Sequence, residues 1–182
     1  SSPAAPAAPA APTIAAPPSA PWRGVTVGAS SVQLNGSGLA LPTGQPVASV
    51  AVMLLPPTSA RGEPLTNDPA GGARSNPALL NAAGAAYLDV HASYAAEGGS
   101  ELATRLQRPG EEVHVTLAVL GYAADTLTYA ELGRARCGVG ALVRAGRELE
   151  GAALQVSRAD GTPIGSVTCT ISTLQSGVGD VL

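Results

Sequence analysis

The sequence contains no phenylalanine and no lysine, and it has only one tryptophan and four tyrosines among its 182 residues. Because each aromatic ring buries roughly 150–250 Å², a core made almost entirely of Val, Leu, Ile and Ala buries less apolar area per residue. All ten basic residues are arginines, and the formal net charge is −3. A mildly acidic chain without a basic run lacks the attraction that nucleic acids and anionic membranes require, so we expect neither as a partner.

Cysteine and long apolar runs are also scarce. Cys137 and Cys169 are the two cysteines, too few for a disulfide framework in a chain of this length. No apolar run approaches the roughly 20 residues that span a bilayer, and the first residues do not combine a charged region with an apolar one. We therefore expect a soluble protein in a reducing compartment.

Residues 1–21 contain only Ser, Pro, Ala, Thr and one Ile. Proline fixes φ and withholds a backbone donor, and the segment has too little apolar bulk to offset the entropy cost of ordering. We predict a disordered Pro/Ala-rich linker over 1–21, one domain over 22–174 and a C-terminal tail over 175–182.

The strongest structural signal lies in the second half of the chain. Between Val113 and Val119 apolar and polar residues alternate, which predicts a half-buried strand. Asp160-Gly161 is a turn dipeptide, and the segment from Ile164 to Ile171 alternates again. With the other apolar runs, this predicts an all-β fold, an eight-stranded antiparallel β-sandwich with one or two short helical turns.

The remaining segments give weaker signals. In the first half they predict a strand pair between Trp22 and Leu41, a strand over 47–55 ended by Pro56-Pro57, an exposed loop over 58–75 and a short helix or turn capped by Asn76. Further along they predict a strand over 87–95, a short strand from Leu102 to Leu106 and a helical turn near 141–145.

Asp89, His91 and Ser93 are the residue types of a hydrolytic triad. On a strand, however, successive residues of one face are about 6.6 Å apart, which is too far for the hydrogen bonds that a nucleophile and its base need. We interpret them as an exposed polar strand face and expect no enzyme.

Two Cys and two His could suggest a zinc site, which requires four converging ligands. Parity opposes this, because Cys137 and Cys169 have the same parity as the core-facing residues of their strands, whereas His91 and His114 have the parity of the outward-facing residues. We expect buried free thiols, with a Cys137–Cys169 disulfide as the alternative, and no metal or other cofactor.

Arginines are densest around the strand predicted near residue 134. Arg134 and Arg136 are two apart and share a face, and Arg144 and Arg147 follow in the next connection. Glu131, Glu148 and Glu150 lie among them, so a solvated, internally paired surface is one interpretation. The other is a docking face for a protein partner, made of Arg134, Arg136, Arg144 and Arg147.

The C-terminal half resembles a C2 domain. Residues 113–120, the loop after them and 131–142 are similar to the fifth strand, loop and sixth strand of that family, in which a Leu-Gly pair, here Leu132-Gly133, precedes an alternating strand. Residues 160–171 resemble the final hairpin and strand. The resemblance covers about 86–173 and implies a C2-like β-sandwich.

The resemblance also implies how the chain acts. Calcium-binding members place several Asp in their loops, since Ca²⁺ takes six to eight oxygen ligands. At the corresponding positions this chain has only Asp125 and Asp68. The resemblance therefore implies a calcium-independent, non-catalytic, protein-binding module of a larger scaffold, located in the cytoskeleton of a cilium, basal body or centriole. The alternative is a secreted or virion structural sandwich on a Pro/Ala stalk.

Overall fold

The structure is a computed structural model that describes residues 22–59, 61–65, 73–95, 101–107, 113–140, 142 and 148–175. Within these residues the chain forms nine strands, one α-helix and one short 3-10 helix. The elements are β1 (Trp22–Leu34), the 3-10 helix (Gly36–Leu39), β2 (Ser49–Ser59), β3 (Ala73–Arg74), β4 (Ala78–Leu79), β5 (Ala85–Ala95), α1 (Glu101–Gln107), β6 (Val113–Tyr122), β7 (Tyr129–Gly138), β8 (Leu149–Ser157) and β9 (Pro163–Gln175).

The strands form two layers. The hydrogen-bonded order is β3-β2-β6-β7-β8-β9-β1-β5, with β4 also paired to β2. All pairings are antiparallel, and β7 is joined to β8 by the pair Arg134–Ser157. The first layer contains β2, β3, β4, β6 and β7, and the second contains β1, β5, β8 and β9. Because β3 and β4 share the edge of β2, the order has eight positions, and the predicted eight-stranded antiparallel sandwich is confirmed.

The core lies between the two layers and is almost wholly aliphatic. Alternate residues of every long strand point into it, including Val50, Val52 and Leu54 on β2 and Val167, Cys169 and Ile171 on β9. Tyr94 is the one aromatic residue in this cluster, and its hydroxyl donates to the Leu54 carbonyl oxygen at 3.3 Å across the two layers. Alternation in these strands was predicted from sequence and is confirmed.

Strand β6 differs from the prediction, because it is buried on both faces rather than one. Its inner residues Val115, Leu117 and Val119 are 0–1 % exposed, and on its outer face Ala118 and Leu120 are 0 and 6 % exposed. A central strand has neighbours on both sides, and here the side chains of β2 and β7 cover the outer face as well.

Strands β1 and β2 both differ from the prediction. The predicted strand pair between Trp22 and Leu41 is wrong, because β1 ends at Leu34 and is followed by the 3-10 helix and not by a second strand. Strand β1 also has a bulge between Ala29 and Ser31. The bulge explains why the inward residues change from odd to even numbers. Strand β2 also continues past Pro56-Pro57, with a register shift between Leu55 and Thr58.

The predicted strand from Leu102 to Leu106 is also wrong, because these residues lie in helix α1. Leu102 and Leu106 are 1 and 0 % exposed. They are four residues apart, a spacing that places both on one face of a helix and equally on one face of a strand.

The short helix or turn predicted to begin at Asn76 is replaced by strand β4 at Ala78–Leu79. Ala78 pairs with Val50, Leu79 pairs with Ser49, and the Leu80 amide donates to the Ala48 carbonyl oxygen at 3.0 Å. Backbone pairing with β2 therefore outweighs the local capping signal.

Several predictions fall outside the described residues: the linker over 1–21, most of the tail and most of the helical turn near 141–145. The exposed loop predicted over 58–75 is described only in part, and its two ends belong to strands β2 and β3. The predicted domain limits stay predictions. No helix in the described part of the chain is long and apolar enough to cross a membrane.

Candidate partner-binding site

The outer face of the first layer carries a cleft lined by three arginines. Its lining residues are Leu55, Thr58, Arg61, Gly62, Thr116, Arg134 and Arg136, and its volume is about 290 Å³. We call it the arginine cleft. It combines side chains from β2, β6 and β7 with the turn after β2.

Strand register brings these side chains together. Leu55 on β2 lies opposite Thr116 on β6, and Thr116 lies opposite Arg136 on β7. Directly opposed residues of an antiparallel pair have Cβ atoms about 4.5–5.5 Å apart, so the three side chains form a continuous row. In the next row Met53 and Ala118 lie beside Arg134.

A tight turn after β2 positions Arg61. The Ser59 hydroxyl accepts from the backbone amides of Arg61 and Glu63, both at 3.2 Å, and the Gly62 amide donates to the Ser59 carbonyl oxygen at 2.9 Å. Gly62 has φ of +88°, a conformation that glycine adopts without steric cost. The turn therefore places the Arg61 side chain beside the ends of β6 and β7.

Arg134 is already paired. Its Nε donates to Glu131 Oε2 at 2.8 Å and its Nη2 to Glu131 Oε1 at 3.0 Å, a bidentate arrangement. The hydrogen bonds to the Glu131 carboxylate raise the pKa of Arg134 above its usual value. Glu131 thus neutralises one of the three positive charges of the cleft.

The other polar groups of the cleft have free bonding capacity. Neither the Arg61 nor the Arg136 side chain forms an ion pair or hydrogen bond with any residue in the described ranges. The hydroxyls of Thr58 and Thr116 likewise have no hydrogen-bond partner within those ranges, although Thr116 is only 7 % exposed. The cleft therefore presents two uncompensated cations and two hydroxyls.

The opposite end of the same face is apolar. Ser49 on β2 pairs with Leu79 on β4 and with Tyr122 on β6, and Tyr122 pairs in turn with Tyr129 on β7. Tyr122 and Tyr129 are stacked with ring centroids 5.2 Å apart. Leu79 is 79 % exposed, Tyr129 56 % and the neighbouring Leu127 83 %. We call Leu79, Tyr122, Leu127 and Tyr129 the apolar end.

The structure locates only two of the four arginines that the sequence predicted as a docking face. Arg134 and Arg136 share the outer face of β7 and line one cleft, whereas Arg144 and Arg147 lie outside the described residues. The sequence reasoning missed Arg61. No local pattern could have found it, because its place beside Arg136 depends on the register of three strands.

The exposed face of β5 departs from expectation in one respect. His91 Nε2 lies 2.7 Å from Asp89 Oδ1, so two residues two apart on a strand do come within hydrogen-bond distance. The His91 ring folds over Gly28, where a Cβ would approach its Nδ1 to 2.7 Å. The Ser93 hydroxyl is instead 3.0 Å from Thr26 Oγ1. Asp89 and His91 are 81 and 66 % exposed, as on an open strand face.

Both cysteines are free thiols on the core side, as the alternation predicted. Cys169 is 1 % exposed and Cys137 is half-buried. Burial, together with the charge that Cys137 would carry, raises the pKa of Cys169 to about 12. Cys169 is therefore protonated at neutral pH and behaves as a small apolar residue.

In the described ranges, acidic side chains such as Asp125 stabilise turns and do not converge on a common metal site. Asp125 Oδ1 accepts from the backbone amides of Leu127 and Thr128, at 2.9 and 3.1 Å, and these bonds lower the pKa of its carboxyl group. No three His, Cys, Asp or Glu side chains in the described ranges form a group that could hold a metal ion. Asp68 lies outside those ranges.

Comparison with known proteins identifies the architecture. No protein-family model matches the chain, and no curated protein matches it in sequence. Among solved structures it resembles a C2 domain-containing protein from a putative elicitor-responsive gene, with a TM-score of 0.54 and 14 % identity, over 87 % of this chain and 93 % of that one.

It also resembles CC2D1B, a protein described as coordinating ESRCT-III activity during the mitotic reformation of the nuclear envelope. That likeness has a TM-score of 0.58 and 9 % identity, and it covers 87 % of this chain but 58 % of the other. The chain thus spans less than two thirds of that second protein. Strand order and both likenesses together show that this chain has a C2-like fold.

Proposed function

We propose that this chain is a non-catalytic protein-binding module that contacts its partner through the outer face of the first layer. One observation carries the proposal: the side chains of Arg61 and Arg136 line a cleft without any ion pair to the described residues. Exposed Arg with unused donors is suited to recognising carboxylates or phosphates, and Arg and Tyr are enriched where proteins bind one another. Arg136 and the stacked Tyr129 lie on the same strand.

The same proposal includes binding that does not depend on calcium. Asp125, which lies in a loop where calcium-binding C2 domains carry ligands, uses Oδ1 to hold the turn between β6 and β7. The Asp125 carboxylate itself supplies at most two of the six to eight oxygens that Ca²⁺ takes. The expected result of adding calcium is an unchanged melting temperature and unchanged partner affinity.

We also propose that the module belongs to a larger scaffold protein of the cytoskeleton, in a cilium, basal body or centriole. The support is the C2-like fold together with the acid-poor loop around Asp125, a combination typical of the calcium-independent modules in such scaffolds. Imaging of the tagged full-length protein tests this part separately, since staining away from these structures would refute the location and leave the binding proposal intact.

The binding proposal is tested with variants of matched charge. Arg134→Gln with Arg136→Gln removes two positive charges from the cleft, and Ala153→Glu with Gln155→Glu adds two negative charges to the exposed side of β8 in the second layer. A partner is first isolated with the unaltered chain, and its affinity for each variant is then measured by calorimetry. We expect the cleft variant to bind at least about tenfold more weakly, since hydrogen bonds to charged groups contribute roughly 1.5–3 kcal/mol each.

The control variant should bind like the unaltered chain. Both variants must keep the melting temperature within a few degrees, which the exposure of all four substituted positions allows. Equal loss of affinity in the two variants would indicate a general charge effect, and loss only in the control would place the interface on the second layer. Either result contradicts the proposal.

A further inference from the structure

We infer that the arginine cleft binds a phosphorylated side chain in an extended segment of the partner protein. This inference rests on the proposed function and specifies the chemistry that the site recognises. It depends on the charge, the hydrogen-bonding groups and the local rigidity of the cleft.

Charge is the first argument. Glu131 neutralises Arg134, so Arg61 and Arg136 leave two positive charges uncompensated among the described residues. A phosphorylated Ser, Thr or Tyr carries about −1.5 to −2 charges near neutral pH, whereas a carboxylate carries one. A phosphoryl group therefore matches the charge of the cleft, and an Asp or Glu side chain would leave one guanidinium without a counter-charge.

Hydrogen-bonding groups are the second argument. Besides the guanidinium groups, the lining offers the hydroxyls of Thr58 and Thr116, which have no partner in the described ranges. Thr116 is only 7 % exposed as a residue, but its side chain lines the cleft, so its hydroxyl is available to a ligand there. A phosphoryl group has three strong acceptor oxygens and can use guanidinium and hydroxyl donors together.

The cleft is also held in shape before any ligand arrives. The Ser59 hydroxyl fixes the turn that carries Arg61, and the Glu131 carboxylate holds one edge of the Arg134 guanidinium group through two hydrogen bonds. Thr116 lies on the central strand β6, between β2 and β7. Such preorganisation lowers the entropy cost of binding a small anionic group.

The surroundings favour a protein segment over a membrane. Attraction to anionic lipid comes from clusters of about four to eight basic residues, whereas this cleft has three arginines, one of them paired, in a chain of net charge −3. The apolar end begins at Tyr122, six residues beyond Thr116 on β6, or about 20 Å at the rise of a strand. An extended segment of about six residues can place a phosphoryl group in the cleft and an apolar side chain against Tyr129.

The test uses the 182-residue chain and degenerate peptide libraries. One library has a fixed phosphoserine or phosphotyrosine with six random positions on each side, and matched libraries have unmodified Ser, unmodified Tyr or Glu at the fixed position. Binding is measured by fluorescence anisotropy. We expect the phosphorylated libraries to bind, the matched libraries to bind about tenfold or more weakly, and bound phosphopeptides to be enriched in apolar residues near the sixth position from the phosphate.

Variants link the binding to the cleft. Arg61→Gln and Arg136→Gln should each weaken phosphopeptide binding about ten- to a hundredfold, because each removes a charge-assisted contact. Gln155→Glu is the matched control, since it changes the net charge by the same single unit and lies on the exposed side of β8 in the second layer, away from the cleft. Thr116→Val should weaken binding several-fold without lowering the melting temperature.

Each other outcome overturns the inference. If the partner binds equally with and without phosphate but needs Arg136, the phosphate inference fails and the protein-binding proposal stands. If vesicles containing phosphatidylserine or a phosphoinositide bind through Arg61 and Arg136 while phosphopeptides do not, the site recognises a membrane. If Arg61→Gln and Arg136→Gln bind partner and peptide like Gln155→Glu, both the inference and the proposed function fail.

Discussion

The outer faces of the two layers differ in how their polar side chains are used. On the second layer, hydroxyls satisfy one another across strands: Ser31 donates to Thr168 at 2.9 Å, and Thr26 lies 3.0 Å from Ser93. On the first layer, Thr58 and Thr116 have no such partners in the described residues, and they lie beside two unpaired guanidinium groups. Both layers cover the same aliphatic core, so the difference is not needed for folding. The paired hydroxyls of the second layer have their hydrogen bonds made within the protein, whereas the polar groups of the arginine cleft can bind a partner.

The first prediction concerns the core, whose packing stabilises both layers. Leu117 is 0 % exposed between the layers, and Leu117→Ala should lower the free energy of unfolding by about 2–5 kcal/mol, because it removes buried apolar groups and leaves a cavity. Chemical denaturation measures the loss. A cost below about 1 kcal/mol would show that the layers do not pack as described.

A second prediction concerns Cys169, which lies on the inner side of the second layer. Its pKa is raised by burial to about 12 from 9.0, so the unfolded chain loses this proton at lower pH than the folded chain does. The stabilisation that the protonated thiol contributes is therefore fully present below about pH 9 and is lost as the pH rises towards 12. At pH 10 this lowers the free energy of unfolding by roughly 1 kcal/mol.

The measurement is denaturation of the unaltered chain and of Cys169→Ala at pH 8 and pH 10. The difference in stability between the two proteins should shrink by about 1 kcal/mol between these pH values. The absence of lysine helps, because fewer groups titrate in this range. A difference that does not change with pH would contradict a buried, protonated thiol.

The smallest predicted effects contrast the hydroxyls of the two faces. Thr168→Val removes a paired hydroxyl of the second layer and should cost about 1 kcal/mol, whereas Thr116→Val removes an unpartnered one and should leave stability unchanged or slightly raised. Thermal unfolding of the two variants, which carry the same substitution, gives the comparison. Equal losses would mean that Thr116 is also satisfied, and the two faces would no longer differ.

The sequence predicted the parts of the fold that depend on alternation. Strands β5, β6, β7 and β9 and the inward side of Cys169 follow from residue parity, because one buried face imposes a period of two. Errors occurred where two physical signals compete. Leu102 and Leu106 fit a helix and a strand equally, and the Asn76-Pro77 cap signal was overridden when Ala78 paired with β2.

The candidate site was predictable only within a single strand. Arg134 and Arg136 are two residues apart on β7, and their shared face was expected from that spacing. Arg61, Thr58 and Thr116 join them through the register of β2, β6 and β7, which a single sequence does not specify. Side-chain conformation also escaped prediction, since the His91 ring folds back to reach Asp89 across an interval judged too long.

The most direct test of the central claim is photo-crosslinking from both faces in the presence of the isolated partner. A photoreactive amino acid is placed at Thr58, in the arginine cleft, or at Gln155, on the exposed side of β8, and crosslinked partner is measured by mass spectrometry. The proposal predicts strong crosslinking from position 58 and background crosslinking from position 155. Crosslinking mainly from position 155 would contradict it.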